Sequence, residues 1–593
     1  MGSQSNGTEG AAEVATEGTG TAGTGADTAA GTGAGTGAEP NVLAGNVADL
    51  VAAAARRGPD HPALLEPARG RVLSWAGLDA ASDAEADRLA AVGVTPGDRV
   101  LIRLGHGARF CVALFGALRV GAIAVPVGTH STGRELAAIV VDCRPSVLVA
   151  EPDDAAVAAA IATDGPAKDA RLLEPPDPAS TPTGSATGPA SGRRPVVGGG
   201  EDIAVLGYTS GTTGTPRGVR LSHRALLANR AQTAQLRPVP VSPADRVLLH
   251  LPLFHIYGLG AGLLQVCWSG ATGVLVSRVE PGAVVDVIRT QRVTVLAGVP
   301  SMYRAMLELP AQRLRDALVS VRLCTAGGAP LAPDLLHGFR EITGLDLFEG
   351  YGLTETGPVL TTTLVGGRAK PGSVGQPLPG GPGVAGVELR LVDAADRPAG
   401  DDPAPGGANP GSDVPESPPA RRDDDPNDFG DDPDDPDDDQ PDTGLVSVRG
   451  PNLFSGYWPD GAGGPDADGW FRTSDVGFVD SDGDLHLVDR ANDLVIVNGF
   501  NVYPHEVEQV LNEHPSVAEA AVVGVPDPRT GEAVKAVLVL RPGAELTVEQ
   551  LRAHCATRLA RFKIPTVVRF ADQLPHSATG KITRLALRTQ EQA

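Results

Sequence analysis

Four short motifs, far apart along the chain, set hydroxyl, carboxylate and cationic side chains among glycines. Tyr208 to Gly218 reads YTSGTTGTPRG, with five Ser/Thr residues and three glycines in eleven positions. Glycines such as Gly211 and Gly214 permit tight turns and let main-chain N–H groups approach an anion closely. Thr209, Ser210, Thr212 and Thr213 add O–H donors, and Arg217 adds a fixed positive charge. That composition suits a polyphosphate, although the Gly-Lys-Ser/Thr ending of the common P-loop is missing. The competing reading is a Ser/Thr/Gly surface linker. Such linkers seldom lie between a strand and a helix, the setting expected here from apolar Ile203–Gly207 and helical Leu221–Ala228. The second motif is Gly350-Tyr351-Gly352-Leu353-Thr354-Glu355-Thr356, which holds a hydroxyl, a carboxylate and an aromatic ring. The third, Gly469 to Asp475, leads into a run ending at Asp489-Arg490, and the fourth, Ser577 to Ile582, places Lys581 directly behind Gly580.

The elements that must position these motifs alternate in type. Arg99–Arg103 reads as a strand, Phe110–Val120 as a helix and Ala122–Val125 as a second strand, a rhythm that implies parallel α/β layers. Beyond a boundary near Asp489-Arg490 come a strand at Leu494–Val497, a helix opened by Pro504, strands at Ala520–Val525 and Ala533–Leu540, and a helix at Val548–Leu559. That makes a compact α+β unit of about one hundred residues, an ordinary domain size. Residues 1–40 are mostly Gly, Thr, Ala and Glu with almost no large apolar side chains, and are expected to be a disordered tail. A Pro/Gly/Ser/Thr-rich connection spans 175–200. An Asp-Pro-Gly insert spans 397–443, between the strand-like segments Val387–Val392 and Leu445–Val448. Self-repelling carboxylates and proline make it a solvated linker; its spacing fits no EF-hand loop.

At 593 residues the chain is too long for one core. Its net charge of −23 is mostly local: residues 401–443 hold sixteen acidic residues against two arginines, which leaves −9 for the other 550. Nothing resembles a basic face, which disfavours nucleic acid. No run of eighteen apolar residues occurs, which argues against a membrane span, and no Lys or Arg precedes Arg56, which argues against a secretory or mitochondrial leader. The five scattered cysteines suit buried free thiols in a reducing cytoplasm rather than disulfides or a zinc site.

In this order and spacing the four motifs resemble those of the adenylate-forming superfamily, which includes acyl-CoA synthetases, firefly luciferase and peptide-synthetase adenylation domains. The resemblance runs from about residue 41 to 590, excepting the two low-complexity stretches. It implies a large α/β domain over 41–488, built of two parallel αβα layers plus a distorted β-barrel, and a small mobile α+β domain over 489–593. It also implies ATP, Mg²⁺ and coenzyme A: a carboxylate attacks the α-phosphorus of ATP to give acyl-AMP and pyrophosphate, and a thiol then displaces AMP. By resemblance Thr209, Ser210, Gly211, Thr212, Thr213, Gly214 and Arg217 hold the β- and γ-phosphates, Glu355 helps hold Mg²⁺, and Thr354 donates to the α-phosphate. Tyr351, with Gly350, stacks on adenine beside Gly328-Ala329-Pro330. Asp475 accepts from the ribose hydroxyls with Arg490 nearby, and Lys581 bridges the substrate carboxylate and the α-phosphate. Asn492 stands at the hinge where Asp or Lys is usual, and Gly499 lines the route of the pantetheine thiol. Arg217 departs from the usual Lys, and Ser474 from the usual Gly.

Leu251–Gly258 is expected to border the acid-binding pocket, with Gly258, Leu259, Gly260, Gly262, Leu263, Leu264 and Gly298-Val299-Pro300 as further walls. These are small and apolar, which suits a medium- or long-chain fatty acid; an aryl or hydroxycinnamate acid is the alternative. No Asp stands there to pair with an amine, which makes an amino acid a poor fit. His255 either orients the carboxylate or is structural. Gly357–Pro379 shows no extra insertion and only twelve residues follow Lys581, which favours CoA over a carrier protein as acceptor. A degenerate nucleotide-binding scaffold would have lost Thr354, Glu355, Asp475 or Lys581, and all four are present.

Overall fold

The computed structural model describes residues 42–162, 170–178, 196–209, 216–277, 280–393, 396–397, 443–490, 493, 495–497, 500–527, 530–559, 561–576 and 582–589. The tail at 1–40, nearly all of the acidic insert at 397–443 and most of the connection at 175–200 lie outside the described residues. What is described is a large α/β domain followed by a small α+β domain, with separate apolar cores.

Two mixed sheets dominate the large domain. The first runs in the order Arg171–Leu173, Val147–Ala150, Arg99–Arg103, Ile123–Pro126, Ile203–Thr209, Arg217–Ser222; its first five strands are parallel and the last is antiparallel. Strands such as Ile123–Pro126 and Val147–Ala150 are buried at every position, as expected of a sheet covered on both faces by helices. The second sheet has nine strands, its parallel middle including Arg246–Leu249, Val295–Gly298, Leu323–Gly327 and Leu347–Gly352. Antiparallel strands close both of its edges. A four-stranded antiparallel sheet follows, in the order Glu388–Val392, Gly444–Arg449, Trp470–Val479, Leu485–Arg490.

In the small domain the strands Phe500–Val502, Val495–Val497, Gly531–Leu540 and Val517–Asp527 form a sheet, with Val567–Phe570 added in parallel to Gly531–Leu540. Helices Pro504–Asn512 and Val548–Ala556 cover one face, where Val507, Leu511 and Leu551 pack on Val522, Ala536 and Leu538. Pro504 occupies the first helical position, where its missing N–H breaks no bond. Thr547 and Gln550 cap the second helix reciprocally, each side chain accepting the other's backbone N–H.

One local expectation is corrected. The loop after Thr209 does not join a strand to a helix. It closes a hairpin in which Thr209 pairs with Arg217 and Tyr208 with Gly218. In RGVRLS, Gly218, Val219, Leu221 and Ser222 are buried against exposed Arg217 and half-buried Arg220, as a strand beside Ile203–Thr209 allows. The helix begins only at His223, where Ser222 Oγ accepts the N–H of Ala225 at 3.1 Å.

Candidate active site

Parallel strands Leu323–Gly327 and Leu347–Gly352 end at the same edge of the nine-stranded sheet, the edge at which α/β proteins bind ligands. The chain leaves the first through Gly328, whose φ of +82° favours glycine. It leaves the second through a single 3₁₀ turn, Thr354–Thr356. The Thr356 hydroxyl holds that turn by accepting the Leu353 N–H (2.9 Å) and donating to Pro358 O (2.6 Å). The segment 452–454 clamps it from outside: Asn452 Nδ2 donates to Thr356 O and the Phe454 N–H to Glu355 O, each at 2.9 Å. Thr354 is thereby set against the strand Ile203–Thr209, its methyl 2.9 Å from where a β-carbon on Gly207 would stand.

Two side-chain contacts tie separate sheets together. Tyr351 Oη donates to Asp475 Oδ2 at 2.6 Å, joining the nine-stranded sheet to the four-stranded one. Asp475 is 6% exposed and also pairs across the sheet with Arg490 through the backbone ladder. Tyr457 Oη donates to Glu355 Oε1 at 2.9 Å, while the Arg217 guanidinium lies 3.7 Å above the centre of the Tyr457 ring. Arg217, Tyr457 and Glu355 therefore form one chain of contacts. The planar guanidinium stacks in a way that a lysine ammonium does not.

A cleft of about 1090 Å³ collects Thr209, Arg217, His255, Gly328, Gly350, Tyr351, Thr354, Glu355 and Asp475 on its walls. Ala329 and Pro330, expected beside Gly328, are not among its lining residues. Ser210, Gly211, Thr212, Thr213, Gly214, Asn492, Gly499 and Lys581, and the side chain of Arg490, lie outside the described residues. His255 Nδ1 accepts the N–H of Tyr257 at 3.2 Å, which orients the ring at the mouth of the following helix.

The wall of the acid-binding part is also corrected. Of the nine small or apolar positions expected as walls within 258–264 and 298–300, only Val299 lines the cleft. Gly258 and Gly260 face away into packed structure: a β-carbon on either would stand 2.4 Å from Pro252 O or Pro358 Cδ. The lining face of this π-helical stretch, Tyr257–Leu264, and its α-helical continuation is instead Tyr257, Ala261 and Gln265. Arg230, beside Gln265, and Val247, Val295, Met302 and Leu323 also line the cleft. Tyr457, Gln265 and Arg230 were not anticipated. A sequence signal for Arg230 exists: the helix His223–Thr233 has polar residues on every side, and nearly all of it is buried.

A family model described as AMP-binding enzyme matches residues 51–407, and one described as AMP-binding enzyme C-terminal domain matches residues 506–581. The chain belongs to the AMP-binding enzyme family. A feruloyl-CoA synthase of Amycolatopsis sp is 35% identical over 528 residues, 87% of this chain and 93% of that one. A long-chain-fatty-acid–CoA ligase of Yersinia pestis is 33% identical over 578 residues, 91% and 93%. The ATP-bound crystal structure of MatB from Rhodopseudomonas palustris superposes with a TM-score of 0.75 at 31% identity, covering 92% of this chain and 98% of that one. The reaction class of this family member is that of the ATP-dependent acyl-CoA ligases. The five cysteines are buried free thiols, and among the described residues no helix is long and apolar enough to cross a membrane.

Proposed function

We propose that this AMP-binding enzyme adenylates a carboxylic acid with an apolar body, aliphatic or aryl, and transfers the acyl group to coenzyme A. The observation that carries this is the convergence on one cleft of Thr209 and Arg217, Thr354 and Glu355, and Tyr351 and Asp475 from three different sheets. A carboxylate and a polyphosphate repel each other, so the site's task is to neutralise charge and hold both in line. Thr209 and Arg217, with the segment 210–214, hold the β- and γ-phosphates. Thr354 donates to the α-phosphate, Tyr351 covers adenine, and Asp475 accepts from the ribose. Glu355 offers one carboxylate beside the phosphates, the donor set that Mg²⁺ prefers, and when bound that ion offsets phosphate charge.

In the first step an oxygen of the acid forms a bond to the α-phosphorus, the α–β bridging P–O bond breaks, and pyrophosphate leaves. Lys581 supplies the cation between the two reacting anions. In the second step the CoA thiol loses its proton and its sulfur attacks the acyl carbon. The carbon–oxygen bond to the phosphate breaks and AMP leaves. The small domain, carrying Lys581 and Gly499, serves the two steps in turn through a hinge at Asn492. The mostly apolar lining at Val247, Val295, Ala297, Met302 and Leu323 supports an aliphatic chain and an aryl ring equally.

The test is acid-dependent ATP–pyrophosphate exchange over a panel of aliphatic, aryl and amino acids, followed by thioester formation with CoA. Exchange with at least one apolar-bodied acid and thioester only when CoA is present are the expected results. Exchange with none of the panel would leave a nucleotide-binding scaffold instead.

A further inference from the structure

Arg230 is fully buried, in the middle of helix His223–Thr233, and lines the same cleft. Its Nη1 donates to Gln265 Oε1 at 2.9 Å and its Nη2 to Asn229 Oδ1, while Nε has no partner. No carboxylate among the described residues pairs with it. The other deeply buried arginines are treated differently by the fold: Arg119 meets Asp79 and Asp83, and Arg103 meets Asp154 at 2.8 Å. Burial pulls the Arg230 pKa down to about 9, which still leaves it cationic at neutral pH. A cation held without a counter-charge in a low-dielectric wall is destabilising, and a bound anion or strong acceptor offsets that cost.

Gln265 points to the same ligand chemistry. It is 3% exposed, and its Oε1 is taken up by Arg230. Its amide nitrogen makes no hydrogen bond among the described residues, and it stands on the lining face of its helix. Both side chains therefore present donors. The only carboxylates on the cleft wall among the described residues are Glu355 and Asp475, both at the nucleotide end. Away from that end, Gln265 stands eight positions beyond Tyr257 on the lining face formed by the π-helical stretch and its α-helical continuation. Tyr257 lies at the reacting end, where its Oη donates to Gly298 O at 3.2 Å and approaches Gly327.

We propose that the acid taken by this site carries an oxygen acceptor, carboxylate or hydroxyl, at the end remote from its reacting carboxylate, and that Arg230 and Gln265 hold that oxygen. The inference rests on the ligase reading above and narrows it: the body of the acid is apolar, but its tip is not. A plain alkyl terminus would leave the guanidinium without a counter-charge and the Gln265 amide nitrogen without an acceptor, and sites built around donors reject ligands lacking the acceptor strongly.

The test uses the full-length enzyme and matched acids that differ only at the tip: octanoate, 8-hydroxyoctanoate and octanedioate, and cinnamate, 4-hydroxycinnamate and 4-carboxycinnamate. In at least one series the oxygen-tipped acid should exceed the plain one in kcat/KM by roughly 10²-fold, well short of the largest discriminations known for such sites. The better of the hydroxyl and carboxylate arms identifies the acceptor. R230L should reduce the preference to within about threefold, with the KM for ATP unchanged and the melting temperature equal or higher, since an apolar isostere relieves an unpaired buried charge. Q265L should reduce it by about tenfold, the loss of one hydrogen bond, and serves as the check if R230L fails to fold. A wild-type preference for the plain tips, or a tip preference that survives R230L or Q265L, would overturn the proposal while leaving the ligase reading intact. Absence of exchange with every acid would instead remove the ligase reading and this inference with it.

Discussion

Tyr457→Phe isolates the contact that orients Glu355, the carboxylate proposed above to hold Mg²⁺. The substitution deletes one hydroxyl, whose hydrogen bond to Glu355 Oε1 spans 2.9 Å. It leaves the ring in place, with Arg217 at 3.7 Å above it and Phe454 edge-on at 5.1 Å. Burial and the neighbouring Glu355 carboxylate push the Tyr457 pKa upward, so the phenol remains a donor throughout the working pH range. A hydrogen bond to a charged group contributes about 1.5–3 kcal/mol, and partial exposure of Tyr457 places the expected loss nearer 1–2 kcal/mol. That corresponds to roughly 5–30-fold in an equilibrium constant.

The loss falls on Glu355, whose backbone stays fixed by the Phe454 N–H, so the turn keeps its place while the carboxylate gains rotational freedom. The measurement is ATP–pyrophosphate exchange at fixed ATP over a Mg²⁺ titration, with melting temperature as the control for folding. The half-saturating Mg²⁺ concentration should rise by the factor above, and the KM for the acid should not move. A half-saturation within twofold of wild type, in a variant that melts normally, would refute the placement of Glu355 as the metal-holding carboxylate oriented by Tyr457.

Glu349→Gln reports on the strand Leu347–Gly352, which carries Tyr351. Glu349 is 5% exposed and accepts the Leu331 N–H at 3.0 Å, and burial raises its pKa from 4.5 to about 8. Because the folded value lies above the unfolded one, the folded state favours the protonated acid. Its contribution to stability is complete below the unfolded pKa and drains away as pH rises towards about 8. Gln does not ionise, so the variant should gain on wild type by about 2 kcal/mol between about pH 6 and pH 8. Melting curves at the two pH values check this, and parallel shifts of both proteins would contradict it. Lys581→Ala should lower ATP–pyrophosphate exchange by roughly 10²–10³-fold, as for one lost transition-state charge donor, while thioester formation from pre-made acyl-adenylate survives. Near-normal exchange in that variant would remove Lys581 from the adenylation step.

The layered core was legible because its strands carry short apolar runs: Arg99–Arg103 and the helix opened by Pro504 are found where expected, and the strands expected at Ala520–Val525 and Ala533–Leu540 lie within Val517–Asp527 and Gly531–Leu540. Where the reading failed, tertiary packing overrode local character. Gly258 and Gly260 looked like pocket walls because they are small, yet they are small because Pro252 and Pro358 press against them. Leu221 looked like the start of a helix, yet the ladder to Ile203–Thr209 extends through Ser222. Tyr457 and Gln265 were illegible for a different reason. Each acts through a partner 102 or 35 positions away, Glu355 or Arg230, and no local period encodes such a pairing.

Arg217 shows how a departure from a family pattern acquires a meaning only in three dimensions. In the sequence it merely keeps a charge where a lysine is usual. In the structure its guanidinium lies 3.7 Å over the Tyr457 ring centre, and the hydroxyl of that ring restrains Glu355. A stacked guanidinium keeps its edge N–H groups free for phosphate oxygens while its face fixes the ring. One side chain thus couples the strand Arg217–Ser222 to the Glu355 carboxylate through a rigid aromatic. A lysine at this position would contribute the same charge without the flat face, and the orientation of Glu355 would then rest on the Tyr457 hydroxyl and the Phe454 clamp alone.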